Sequence, residues 1–237
     1  MSFYAIPRHI YVCRTDDGAI ILDSKRNRYF GLDHESANCL DTLVAGWPPG
    51  NAAQPTQRLR PEVLDAAIDQ MKQRKLLTTY SSPRISHKPS LRRAMSSCLR
   101  EIMDDSRPIS MMTRVRFAAS CVTIRYLLSC RTLDTVFRRI ESRKAAARPG
   151  GTFDVNAAKH LLEAHTRMRC YVYAARDHCL YDSLVLVEFF SCFNLFPDFV
   201  IGVTTGPFAA HCWVQHEELV FNEDYDRVRQ FTPILAK

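Results

Sequence analysis

This sequence predicts an α+β chain in two parts, a small strand-then-helix unit followed by a larger unit that is helical first and ends in strands. Three observations predict it. Short β-rich runs separated by turn residues lie between His9 and Leu32, helical periodicity runs from 109 to 169, and strand composition returns near 199. A length of 237 residues with 46% apolar side chains is enough to bury a core in either part.

The first elements are His9 to Cys13, Ala19 to Asp23 and Arg28 to Leu32. They are rich in Tyr, Val, Ile and Phe and separated by Asp16-Asp17-Gly18 and Lys25-Arg26-Asn27, which predicts a three-stranded meander. From His34 to Val44 the spacing of Ala37, Leu40, Leu43 and Val44 is helical, and Gly46-Trp47-Pro48-Pro49-Gly50 stops it. Pro61 suits a first helical position, Val63, Leu64, Ala67, Ile68 and Met71 form the stripe of a second helix, and Leu76 to Tyr80 reads as a short strand. Residues 1–80 are therefore one domain, the polar, Pro-containing stretch 81–90 is a linker, and 91–237 is the second domain. Within the latter, Ile109 to Leu128, Leu133 to Arg143 and Asn156 to Arg169 are helical by periodicity, with a break at Arg148-Pro149-Gly150-Gly151.

Charge and cysteine content narrow the function classes. The net charge of +7 gathers in Arg84 to Arg100, Arg107 to Arg116 and Arg138 to Lys144. Basic residues do not concentrate in the helix Glu62 to Gln73 that would have to enter a DNA groove, so no nucleic-acid partner is expected and a solvated basic face is the simpler reading. The nine cysteines include no C-x-x-C pair, which argues against a disulfide framework or a zinc ribbon. His178, Cys170, Cys192, Cys212 and His216 lack close ligand spacing, so no metal is expected. The start MSFYAIPRHI is not built as a signal peptide, and the apolar stretch Leu180 to Val203 is interrupted by Asp182, Glu188 and Asp198. The expectation is a cytoplasmic protein with no membrane partner and reduced thiols.

The chemistry is concentrated after Arg169. Cys179 precedes a helical stripe of Leu184, Val187 and Glu188, which places it at a helix N-terminus, where unpaired N–H groups and the dipole favour the thiolate. Downstream, Phe199 to Val203, Ala209 to Gln215 and Leu219 to Glu223 read as three strands, the last two joined by a turn at His216-Glu217-Glu218. Alternation puts His211 and Trp213 on one face of the middle strand and Cys212 on the other. A Cys at a helix start, a His on a strand and a carboxylate on the next strand form the set a thiol hydrolase needs. A turn centred on Glu217 sets Glu223 opposite His211, and a two-residue turn sets Asp224 there. The absence of Gly, Asn or Asp from the turn favours the Glu223 register, whereas Asp is the commoner orienting residue.

At Cys179-Leu180, Val200-Ile201-Gly202-Val203, Pro207-Phe208-Ala209-Ala210-His211-Cys212-Trp213-Val214, Val220-Phe221-Asn222-Glu223 and Thr232-Pro233-Ile234-Leu235, the chain resembles the lasso peptide biosynthesis B proteins. Their catalytic domain is a transglutaminase-like, papain-like cysteine protease. The resemblance implies that Cys179 and His211 with Glu223 or Asp224 hydrolyse the bond between leader and core of a ribosomal precursor peptide. It also implies that residues 1–80 are a winged-helix-like domain of three strands and three helices that recognises the leader. The leader would dock by strand addition on Arg28, Tyr29, Phe30 and Gly31 and against Leu64, Ile68 and Met71. A macrolactam-forming cyclase is the implied partner. No phosphate-binding loop is visible, so no cofactor is expected on this chain, and any ATP requirement belongs to the cyclase. The same triad also fits a transglutaminase-type acyl transferase or amidase, and an idle scaffold would be a peptide-binding adaptor.

Overall fold

The computed structural model describes residues 3–41, 43–49, 61–80, 91–99, 108–147, 153–173 and 178–237. The predicted linker 81–90, the break at 148–151 and Arg176-Asp177 lie outside them. By its contacts the chain divides into two compact units, 1–90 with 203–209 and 232–235, and 91–202 with 210–231 and 236–237.

The first unit begins with β1 (Phe3–Ala5) and the meander β2 (Ile10–Thr15), β3 (Gly18–Asp23) and β4 (Arg28–Asp33), paired antiparallel in the order β2-β3-β4. Thr15 pairs with Gly18, so Asp16-Asp17 make a two-residue turn. Gly18 has φ of 143° and a Cβ there would lie 2.1 Å from the Leu32 carbonyl oxygen, so only glycine fits. The second turn is held by Asp23, whose buried carboxylate accepts the N–H groups of Lys25 and Arg26, with Asn27 in the left-handed region.

Helix α1 (His34–Asp41) starts where Asp33 accepts the Ser36 N–H. Then come β5 (Val44–Ala45), α2 (Pro61–Gln73) and β6 (Thr78–Tyr80). A second small sheet, β5-β1-β6, uses Phe3–Ala5, which carry no sequence signal of their own. Among the described residues this unit has two helices and six short strands rather than the three strands and three helices expected. The core joins Ile10, Ile21, Leu32, Leu40, Trp47, Ile68, Met71 and Leu76.

The second unit contains β7 (Ser96–Ser97) and four helices, α3 (Met111–Cys130), α4 (Leu133–Ala146), α5 (Val155–Arg169) and α6 (Cys179–Ser191). Strands β8 (Asp198–Thr205), β9 (Phe208–His216) and β10 (Leu219–Val220), the short helix α7 (Tyr225–Val228) and β11 (Thr232–Ala236) complete the chain. Helix α6 is the buried axis: every residue from Asp182 to Ser191 is buried, and α3, α4 and α5 all pack on it. Its one buried acid in the last turns, Glu188, is paired by Arg139 and Arg143 from α4, which removes the cost of a lone buried charge.

The sheet runs β11-β8-β9-β10-β7. Trp213 is buried with Val200, Val220 and Val228, and Gly202 is required beneath it because a Cβ there would lie 2.6 Å from the indole. The expected strand Leu219 to Glu223 is shorter than predicted. Pairing ends at Val220, and the chain bends at 221–223.

Candidate active site

Cys179 is the first residue of α6. His178 before it is exposed and makes no capping side-chain bond, so the helix N-terminus is left to the thiol. The thiol is half-buried and receives hydrogen bonds from the Cys212 side chain, from His211 and from the Cys212 backbone N–H. These bonds, Cys212's first, outweigh burial and bring its pKa from 9.0 down to about 4.

His211 on β9 is 5% exposed, and its Nε2 lies 2.6 Å from Glu223 Oε2. Burial opposes its protonation. The hydrogen bonds to Cys179 and Glu223 prevail and raise it to about 9. With Nε2 committed to the carboxylate, Nδ1 is the ring atom left for the thiolate. Burial likewise raises Glu223, but the bonds from His211 and the Asp224 N–H hold its carboxyl below the ordinary range. The result is a thiolate–imidazolium pair between about pH 4 and about pH 9, oriented by the Glu223 carboxylate. Such a pair can attack a carbonyl and protonate a leaving amine.

Asp224 is not on the imidazole. Its carboxylate caps α7 by accepting the Asp226 N–H. Strand register alone points the other way. His216 pairs with Leu219, so Glu217-Glu218 form a two-residue turn with Glu217 at φ 49°, and that register, prolonged, would set Asp224 opposite His211. The expected turn centred on Glu217 is thus corrected. Glu223 reaches the imidazole because the chain leaves the ladder after Phe221, whose N–H bonds the Val214 carbonyl at 2.9 Å.

Two features of the site were not read from the sequence. Strand alternation assigns Cys212 to the face away from His211, yet its thiol bonds Cys179. Asp182, one turn along α6, anchors a buried network: it accepts Arg169 at 3.1 Å, Tyr173 at 3.0 Å and the Asn222 amide at 3.0 Å. His165, fully buried, lies 3.2 Å from the Tyr173 hydroxyl through Nε2. Burial pulls its pKa down to about 4, so it is neutral there. No pattern spacing announces such a network.

Cys170, Cys192 and His216 are dispersed: the two thiols bond carbonyls of their own helices, and His216 stacks on Phe153 at 3.8 Å. Among the described residues, no group of three or more His, Cys, Asp or Glu side chains is placed to hold a metal ion.

Residues expected to take a leader are divided. Arg28 and Gly31 are exposed on β4, and Tyr29 and Phe30 are half-buried. Leu64 is half-buried against the core. Ile68 and Met71, 7% and 1% exposed, are core residues, which corrects their place in a docking surface.

Comparison with known protein families matches residues 112–236, more than half of the sequence and including Cys179, His211 and Glu223, to the transglutaminase-like superfamily. The chain belongs to that superfamily. No curated protein and no solved structure matches it. A transglutaminase-like domain carries cysteine-protease or acyl-transfer chemistry, which agrees with a Cys at a helix start facing a His on a strand. Among the described residues, no helix is long and apolar enough to cross a membrane.

Proposed function

We propose that this transglutaminase-like protein is a leader peptidase of lasso peptide maturation, with Cys179 as nucleophile, His211 as proton donor and acceptor, and Glu223 as the orienting carboxylate. The observation that carries it is the His211–Glu223 bond at 2.6 Å, with Cys179 the first residue of α6. The sequence resemblance at the same residues supports the substrate. The thiolate attacks the carbonyl of the leader's last residue and forms a C–S bond. N–H groups of the first turn of α6 receive the developing oxyanion. His211 passes its proton to the core's amine as the C–N bond breaks, then takes a proton from the water that hydrolyses the thioester.

Leader capture by residues 1–80 belongs to the same proposal. Among the described residues, strand β4 is the last of the β2-β3-β4 sheet, and an added strand is proposed to pair along that side. The freed core amine would pass to a macrolactam-forming cyclase, where any ATP is consumed.

Mass spectrometry of a cognate precursor incubated with wild type, Cys179→Ala and His211→Ala tests the reading. Cleavage at one bond, lost in both variants while the leader still binds, is expected. A precursor that binds yet stays intact with wild type, cyclase and ATP together would overturn it. Transfer to an amine is the alternative that the superfamily supports; it would appear in the same experiment as leader joined to an added primary amine.

A further inference from the structure

We infer that Asn222 is a positioning residue of this site: through Asp182 and Ser183 it fixes the bend that brings Glu223, rather than Asp224, to His211. The inference rests on the thiol-hydrolase reading above.

The geometry is specific. In an antiparallel hydrogen-bonded pair, two residues exchange both of their backbone bonds. Phe221 gives its N–H to the Val214 carbonyl at 2.9 Å, but the Val214 N–H goes to the Asn222 side-chain oxygen at 2.8 Å. One side chain thus takes the place of the next ladder acceptor and ends the β9–β10 pairing. Its amide donates both protons into α6, to Asp182 at 3.0 Å and to the Ser183 hydroxyl at 2.9 Å. Those partners are 3% and 0% exposed. Asp182 is itself held by Arg169 at 3.1 Å and Tyr173 at 3.0 Å.

A single amide therefore ties the strand bearing His211, the helix bearing Cys179 and the bend bearing Glu223. Glu223 follows it directly, so its position on the imidazole is set by that tie. An aspartate at 222 could keep the Val214 bond but would lose both donors and face the Asp182 carboxylate.

The test reads the imidazolium without requiring a substrate. Cys179 alkylation by iodoacetamide is followed by peptide mass spectrometry from about pH 4 to about pH 10, in wild type, Asn222→Ala, Asn222→Asp and Asn222→Asp/Asp182→Asn. Wild type should change rate near pH 9, where His211 loses its proton. Both single variants should lower that inflection by about one pH unit, since a carboxylate moved off the ring no longer holds its charge. With the precursor, they should lower kcat about 100-fold and change KM by less than about threefold. The exchange variant should restore the inflection, because Asn at 182 can donate to Asp at 222 while still accepting from Arg169 and Tyr173.

Single variants that keep the wild-type inflection and kcat would overturn the inference. An exchange variant that stays at the lowered inflection would overturn the part played by Asp182. Should the Asn222 variants not fold, Ser183→Ala, which removes one acceptor only, must show the same downward shift in smaller measure. A wild-type enzyme whose Cys179 is no more reactive than its other thiols below about pH 7 would instead sink the thiol-hydrolase reading itself.

Discussion

The strand system of the candidate active site and the one proposed to take a leader are finished in opposite ways. Around β9 the ladder is cut short: the Val214 N–H goes to the half-buried Asn222 side chain, whose amide in turn bonds the buried Asp182. The β2-β3-β4 sheet instead ends on β4, with Arg28 and Gly31 exposed along a strand of ordinary backbone. The difference teaches that acyl chemistry and peptide capture ask for different things of a sheet. The first needs a few side chains over-determined by their neighbours, and the second needs an edge that almost any sequence can supply.

Predictions follow from pressing on each side of that contrast. Cys179→Ala should reduce precursor cleavage by about 10⁴-fold or more, and His211→Ala by about 10³-fold, measured by quantitative mass spectrometry of the leader. Glu223→Gln should cost about 100-fold in kcat, while Asp224→Ala stays within about threefold, since only the former touches the imidazole. Equal losses in the two would erase the distinction between these neighbours.

The pH profile of kcat/KM should be bell-shaped. It should fall below about 4 as the thiolate is protonated and above about 9 as the imidazolium loses its proton. Glu223→Gln should pull the alkaline limb to lower pH, because the carboxylate is among the groups that raise His211.

On the capture side, Met71→Ala should cost about 2–5 kcal/mol in thermal unfolding by opening a cavity, with leader affinity unchanged for the folded fraction. A direct loss of affinity without loss of stability would return Met71 to the docking surface. The smallest effect belongs to Arg28→Glu on the exposed edge, expected to weaken leader binding about fivefold by calorimetry while leaving Cys179 alkylation untouched.

What could be read beforehand follows the same division. The meander, α2, the helices α3 to α5 and Cys179 at the start of α6 were legible because turn residues, 3.6-residue spacing and capping are local signals. Strands β1, β5 and β6 were missed or shortened because two- and three-residue strands take their identity from partners distant in sequence. The choice between Glu223 and Asp224 turned on how pairing ends, not on how the turn is built. Turn chemistry favoured Glu223 for a reason the structure does not use: the turn has two residues, and the Asn222 side chain takes over the ladder bond. Cys212 was set aside by strict strand alternation, although its thiol and its backbone N–H both bond Cys179. Ile68 and Met71 were drawn to the surface by topology, whereas their apolar spacing already fitted the core.

The central claim is covalent catalysis at Cys179, and a thioester between this residue and the leader's last carbonyl is its most direct sign. Acid quenching of precursor and wild type mixed in comparable amounts, followed by mass spectrometry of the Cys179 peptide, should reveal the leader attached there, released by hydroxylamine and absent from Cys179→Ala. Continued cleavage by Cys179→Ala, with no leader on any cysteine of the wild type, would contradict the account.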